Sequence, residues 1–207
     1  MHFRVESATS KGKAEVQRFT NWVLRGHLAD LVEIAPQSLL AIFKKLQIAK
    51  SRQVFVAMAF RDETKLTYQA IQDAVADVNK LHHLDIKINP IRIDEWNTGT
   101  SYKITDEIMR LIDESGLLIA DLTYGNANVY HEIGYLFGLN EGKQRDRNNC
   151  IVIWNQSRKL QAHESKKTDL EKEDVRFDLK DFSALRFSDS NELRNRLVQS
   201  LVAHYAL

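Results

Sequence analysis

The chain predicts a doubly wound α/β domain, a parallel sheet covered by helices on both faces, with a helical N-terminal extension. Three observations predict it. Short continuous apolar runs, QVFVAMAF at 53–60, GLLIADL at 116–122 and CIVIW at 150–154, have the character of strands buried on both faces. Between them lie helix-length segments whose apolar residues recur every three or four positions, and such alternation means crossover connections and parallel strands. The 207 residues, 43% apolar and 28% charged, suffice for one core of that kind, and only Pro36 and Pro90 break regular structure.

The elements follow in order. Residues 14–33 place Val16, Phe19, Val23, Leu24, Leu28, Leu31 and Val32 at helical spacing, and Pro36 ends that run. A second helix is predicted over 37–49, with Leu39, Leu40, Phe43 and Leu46 on one side. These two helices make residues 1–50 the N-terminal extension, and 51–207 the α/β domain. The strand at 53–60 leads to a helix over 63–80 through Leu66, Ala70, Ile71, Ala74, Val75 and Val78. A strand over 86–93 alternates Ile86, Ile88, Ile91 and Ile93. The helix over 101–114 carries Ile104, Ile108, Leu111 and Ile112 on one stripe, and after the strand at 116–122 comes a helix over 128–140. Beyond the strand at 150–154, more than half of residues 157–181 are charged, which predicts a solvated excursion. Residues 184–187 form an edge strand, and 190–204 a closing helix with Leu193, Leu197, Val198 and Leu201 inward. The whole is expected to be of flavodoxin-like type.

Composition excludes several classes. Lysine and arginine total 29 against 28 acidic residues, a net charge of +1, which argues against a protein that wraps nucleic acid. The single cysteine, Cys150, excludes an internal disulfide and a four-thiolate zinc site. MHFRVESATSKGK at the start has no apolar h-region, and no apolar run approaches the roughly 18 residues of a membrane span. A soluble cytoplasmic protein without membrane association is therefore expected.

Open parallel sheets bind ligands beyond the carboxyl ends of their strands. The candidate contacts are thus Met58 and Phe60 after the first strand, Asp94 and Trp96 after the second, and Asp121 after the third. The stretch Asp121-Leu-Thr-Tyr-Gly-Asn-Ala-Asn-Val-Tyr-His-Glu132 is the most informative, since it runs from a buried strand through a Gly/Asn turn into a helix. Asn128 is the expected N-cap, and Glu132 is expected to be held ionised by the helix dipole. His131 lacks a second metal ligand four residues on, where Tyr135 stands, so no metal is expected. Gly138–Lys143 misses the phosphate-loop spacing and follows a helix, and no strand is followed by G-x-G-x-x-G.

The stretches VFVAMAF at 54–60, IRIDE at 91–95, ITDEIMRLIDESGLLIADLTYGNANVYHEIGYLFGL at 104–139, and the VRFDL…ALRF…ELRNRL pattern over 175–197 resemble the nucleoside 2-deoxyribosyltransferase-like group and the related TIR-like proteins of bacteria. The resemblance spans about residues 54–205, and DLTYGNANVYHEIGY is its specific part. It implies cleavage of an N-glycosidic bond, with Glu132 as the catalytic carboxylate. It also implies a partner acid on the preceding helix, Asp106, with Glu107 one residue away. Asn126 and Asn128 would line the sugar or phosphate side, and Tyr130 and Trp96 would offer aromatic plates. Where the transferases proper show a glycine-rich Asp-x-Gly run, this chain has Asn-Ala-Asn-Val-Tyr, a departure from the pattern of true nucleoside transfer.

The chemistry agrees with that implication. Breaking a ribosyl C1–N bond develops oxocarbenium charge that a nearby carboxylate stabilises or traps. Nicotinamide in NAD already carries positive charge and departs without a strong general acid. The first expectation is therefore an N-glycosidase acting on NAD or a related nucleotide, as in a bacterial defence or toxin effector. The alternatives are a salvage transferase or hydrolase and a nucleotide-sensing module without turnover. No cofactor is expected. Homo-oligomers are expected from the resemblance, with the N-terminal helices available to a protein partner.

Overall fold

The computed structural model describes residues 36–95, 103–146, 148–157 and 184–207. The helix expected over 14–33, Trp96, and the charged stretch from residue 158 onward lie outside the described residues. Among the described residues ten main elements follow one another. They are α1 (Pro36–Ser51), β1 (Gln53–Ala57), α2 (Lys65–Leu81), β2 (Asn89–Ile91), α3 (Ile104–Glu114), β3 (Leu117–Asp121), α4 (Ala127–Gly142), β4 (Cys150–Asn155), β5 (Leu185–Phe187) and α5 (Ser190–Tyr205).

The five strands are parallel in the order β2-β1-β3-β4-β5. This is the flavodoxin-like doubly wound sheet, in which connections leave in opposite directions from β1 and β3. β3 lies at the centre and every one of its residues is buried. Its side chains alternate between two cores. Leu117 and Ile119 join Val54 and Val56 of β1 under α2 and α5, while Leu118 and Ala120 join Phe55 and Ala57 under α3 and α4. A strand with both faces covered has no polar side, which is why its sequence is a continuous apolar run.

The helices take the faces that their periodicity dictates. α2 buries Tyr68, Ala70, Ile71, Ala74, Val75 and Val78, and α5 buries Leu193, Leu197 and Leu201 against it. A bidentate ion pair from Arg194 to Asp77, at 2.6 and 2.7 Å, ties the two helices at their rim and holds the Asp77 carboxyl below its usual range. α5 starts at Asp189, whose carboxylate accepts from the amides of Asn191 and Glu192. Leu66 and Ile104, expected on inward stripes, are instead exposed.

The second strand is shorter than expected. Only Asn89–Ile91 pair with β1, because side chains occupy the flanking backbone. The Asn79 amide donates to the Ile88 carbonyl and accepts from its N–H at 2.9 and 2.8 Å, and Arg52 donates to the carbonyl of Ile86. At the other end Ile93–Glu95 turns into a 3-10 helix. β1 likewise stops at Ala57, short of Phe60, and a 3-10 turn over Asp62–Thr64 precedes α2.

α1 enters β1 with one residue, Arg52, between them. Leu40 and Phe43, expected on its apolar side, are exposed, and Leu46 is partly buried. Its last residue crosses over Gly116, whose N–H donates to the Gln53 carbonyl at 3.0 Å. A Cβ at position 116 would stand 2.0 Å from the Ser51 carbonyl oxygen, a distance no backbone tolerates. Gly116→Ala therefore has to displace α1 or the start of β3. The expected loss is about 1–3 kcal/mol, as for overpacked cores, or a melting temperature lower by about 2–12 °C. Thermal unfolding followed by circular dichroism checks this, and an unchanged midpoint would refute the contact.

Candidate functional site

The carboxyl edge of β3 is built by a turn whose polar side chains each hold backbone. Asp121, the last strand residue, accepts from the Thr123 N–H at 2.9 Å, a local turn that bends the chain off the sheet. The Thr123 hydroxyl accepts from the N–H of Asn155 at 2.9 Å and so fastens this turn to the end of β4. Gly125 has φ +58°, a left-handed conformation for which glycine carries no Cβ penalty. The N-cap is Asn126, not Asn128. The Asn126 side chain accepts from the Asn128 N–H at 2.9 Å, and its carbonyl receives the first helical bonds. Asn128 is exposed within the first turn of α4, and Tyr130 is partly buried against the core below it.

This two-residue shift changes the setting of Glu132. Counting from Asn126, it lies in the second turn of α4, where the helix dipole acts weakly. It also falls on the stripe Val129, Glu132, Ile133, Leu136 and Asn140, all buried. Asn140 donates its side-chain N–H to Asn149 Oδ1 at 2.7 Å, while its own Oδ1 is buried without a partner among the described residues. Glu132 makes neither a hydrogen bond nor an ion pair with any described residue. Loss of water dominates there, and burial pushes its carboxyl up to about 7. The expectation of a carboxylate held ionised by the dipole is therefore corrected: at neutral pH the group is poised between its two forms.

The ends of β1 and β2 form a second cluster. Arg92, largely buried, donates through two nitrogens to Asp94 at 2.6 Å each, lies 4.3 Å over the Tyr68 ring and reaches the Met58 sulfur at 3.7 Å. The Tyr68 hydroxyl donates to Glu95 at 2.9 Å, and burial with that carboxylate raises its phenol. Met58 is buried, so this pair of predicted contacts, Met58 and Asp94, is organised by Arg92. Phe60 is exposed beyond the strand.

Asp106 stands in the first turn of α3, 73% exposed, with Lys103 3.6 Å away. Glu107 points inward, 11% exposed, and takes two bonds from Arg110. No hydrogen bond joins Asp106 to Glu132, although α3 and α4 pack on the same face of the sheet. Arg92, within the IRIDE stretch, and Tyr68 are not among the expected contacts, because neither residue type nor spacing singles them out. Nor is Arg61, whose guanidinium lies 5.0 Å over the Tyr124 ring. A cavity of about 420 Å³ lined by Ser115, Gln144 and Asn149 opens at the opposite edge, beside the starts of β3 and β4, away from these residues. Among the described residues no three His, Cys, Asp or Glu side chains gather as a metal set, and no helix is long and apolar enough to cross a membrane.

No family model matches the chain, and no curated protein matches it. Among solved structures it is similar to the metal-soaked Flv1 flavodiiron core from Synechocystis sp. PCC6803, with 15% identity and a TM-score of 0.38. That match covers 95% of this chain, which spans about half (48%) of the flavodiiron chain.

The position of Glu132 has a measurable consequence for stability. Its folded-state carboxyl titrates above the unfolded one, so the folded protein holds a proton that the unfolded chain has lost between about pH 4.5 and 7. This group's contribution is full below that window and declines as pH rises through it. Glu132→Gln removes the decline. The variant should gain on wild type from pH 5 to pH 8, by about 2–3 kcal/mol or about 4–12 °C in melting temperature. Parallel melting curves across that range would refute the buried carboxyl.

Proposed function

We propose that the protein is an N-glycosidase that cleaves the N-ribosyl bond of NAD or a related nucleotide, with Glu132 meeting the charge that develops on the sugar. The observation that carries the reading is the Glu132 carboxyl, buried beside the carboxyl edge of the central strand without a cation or hydrogen-bond donor among the described residues. A carboxylate already satisfied by an arginine has little left to offer a transition state. One in a poorly solvated site interacts strongly with whatever positive charge is brought to it.

In the reaction the C1–N bond breaks, and its electron pair passes to the pyridinium ring, which departs as neutral nicotinamide. The sugar is left with oxocarbenium character opposite Glu132. The carboxylate either holds that cation until water adds or bonds to C1 and is then displaced by water. Approach of a cationic substrate favours the ionised form of Glu132. Asp106, exposed on α3, is suited to sugar hydroxyls more than to the reacting carbon. The turn at Asp121–Asn128 supplies a fixed polar rim. Oligomerisation belongs to the same reading, since Leu40, Phe43 and Ile48 of α1 are exposed apolar groups on the N-terminal extension.

Incubation of the purified protein with NAD, nucleoside monophosphates and deoxynucleosides, with chromatographic resolution of free bases, tests the activity. Wild type is expected to release nicotinamide from NAD, with kcat/KM rising through about pH 7 as Glu132 ionises and then levelling. Glu132→Gln should lower the rate by about 10²–10³-fold, the usual cost of one positioned electrostatic group. Undiminished release by that variant removes Glu132 from the chemistry, and no release by wild type from any substrate overturns the enzyme. For assembly, sedimentation should give a species larger than the 23.9 kDa chain, and a strict monomer at micromolar concentration refutes it.

A further inference from the structure

Four cationic side chains stand on the carboxyl edge of β1, β2 and β3 among the described residues, and three are neutralised locally. Lys65 pairs with Asp62 at 2.7 Å, Arg92 with Asp94 at 2.6 Å and Lys103 with Asp106 at 3.6 Å. Arg61 differs: no described carboxylate pairs with it, and its guanidinium lies over the Tyr124 ring, 5.0 Å from its centre, instead. Its backbone is fixed. The Arg61 carbonyl receives the Thr64 N–H at 3.2 Å, and the fully buried Thr64 hydroxyl lies within hydrogen-bond distance of the carbonyls of both Ala59 and Arg61.

The location gives the contact its meaning. Arg61 follows β1 and Tyr124 follows β3, neighbouring strands whose helices leave to opposite faces of the sheet. The pair therefore spans the crevice at the topological switch, the place where open α/β sheets receive ligands. The ring holds the guanidinium without supplying an anionic oxygen, so its charge and its planar set of N–H donors are left for an oxygen ligand. A rigidly based arginine of this kind, its charge uncompensated, suits a phosphate ester.

We infer that Arg61, held by Tyr124, is an anion-recognition residue that selects phosphate-bearing ligands over bare nucleosides. The inference deepens the N-glycosidase reading by naming the substrate class, and rests on it only for what happens after binding. Calorimetric titration of the full chain with ADP and with adenosine tests it without requiring turnover. Wild type is expected to bind ADP more tightly than adenosine. Arg61→Gln should weaken ADP by about tenfold to a hundredfold, the value of a hydrogen-bonded charge, with adenosine unmoved. Arg61→Lys, which keeps the charge but loses the planar fork, should fall between. Arg61 is exposed, so melting temperatures should match. Equal ADP affinity in wild type and Arg61→Gln, equal weakening of both ligands, or no ADP binding by wild type overturns the proposal. If ADP affinity depends on Arg61 while no base is released, the anion site stands and the glycosidase falls. If base is released while ADP affinity ignores Arg61, the reverse holds.

Discussion

Burial of β3 on both faces is the constraint from which the rest of the structure follows. Leu117–Ala120 pair with β1 and Leu118–Asp121 with β4, and the strand lies under two helices on each face. Nothing in that position can carry a charge except its final residue, and Asp121 is where the strand ends. Its carboxylate shapes the turn that starts α4, and Thr123 joins this turn to the end of β4. The edge at which a ligand would sit is thereby referenced to the fully buried central strand. Precision there needs no loop closure.

Against that background Glu132 is an inconsistency. The stripe it shares with Val129, Ile133 and Leu136 calls for an apolar side chain, and a leucine there would complete the packing without desolvating a charge. A carboxyl so placed costs stability at neutral pH and returns none through bonding to described residues. Positions where a sequence breaks its own local rule without visible compensation are where function is expected. Asn140, a little over two turns further along the same stripe, shows the contrast: its side-chain N–H donates to Asn149, which ties its burial to the fold.

Much of this was legible in the sequence. The continuous apolar runs identified β1, β3 and β4 because double burial leaves no polar face to confuse the pattern. The stripes of α2 and α5 were legible for the same reason, through 3.6-residue periodicity. The 86–93 segment misled because its alternating isoleucines match a strand, while the side chains of Asn79 and Arg52, remote in sequence, claim the backbone that pairing would need. At the site, the turn–helix signature located Glu132 but not its environment. Asn126 and Asn128 are equally good caps by composition, and the choice between them moves the carboxyl from a dipole-stabilised first turn to a buried second one. The spacing of Val129, Glu132, Ile133 and Leu136 carried that signal. The Arg61–Tyr124 and Arg92–Tyr68 contacts join residues separated by whole elements, and no local pattern announces them.

The junction between α1 and β1 bears on how the extension can operate. With Arg52 alone between helix and strand, and the Ser51 carbonyl pressed over Gly116, there is no slack in which α1 could swivel. The helix is a stiff handle, not a tethered module. Whatever grips Leu40 and Phe43 holds the central strands in a set orientation, and a torque applied to the helix is delivered to β1 and β3 within a few residues of their first hydrogen bonds. Carboxyl edges in neighbouring copies joined through this handle would keep a constant spacing, as mounted tools do on a shared frame.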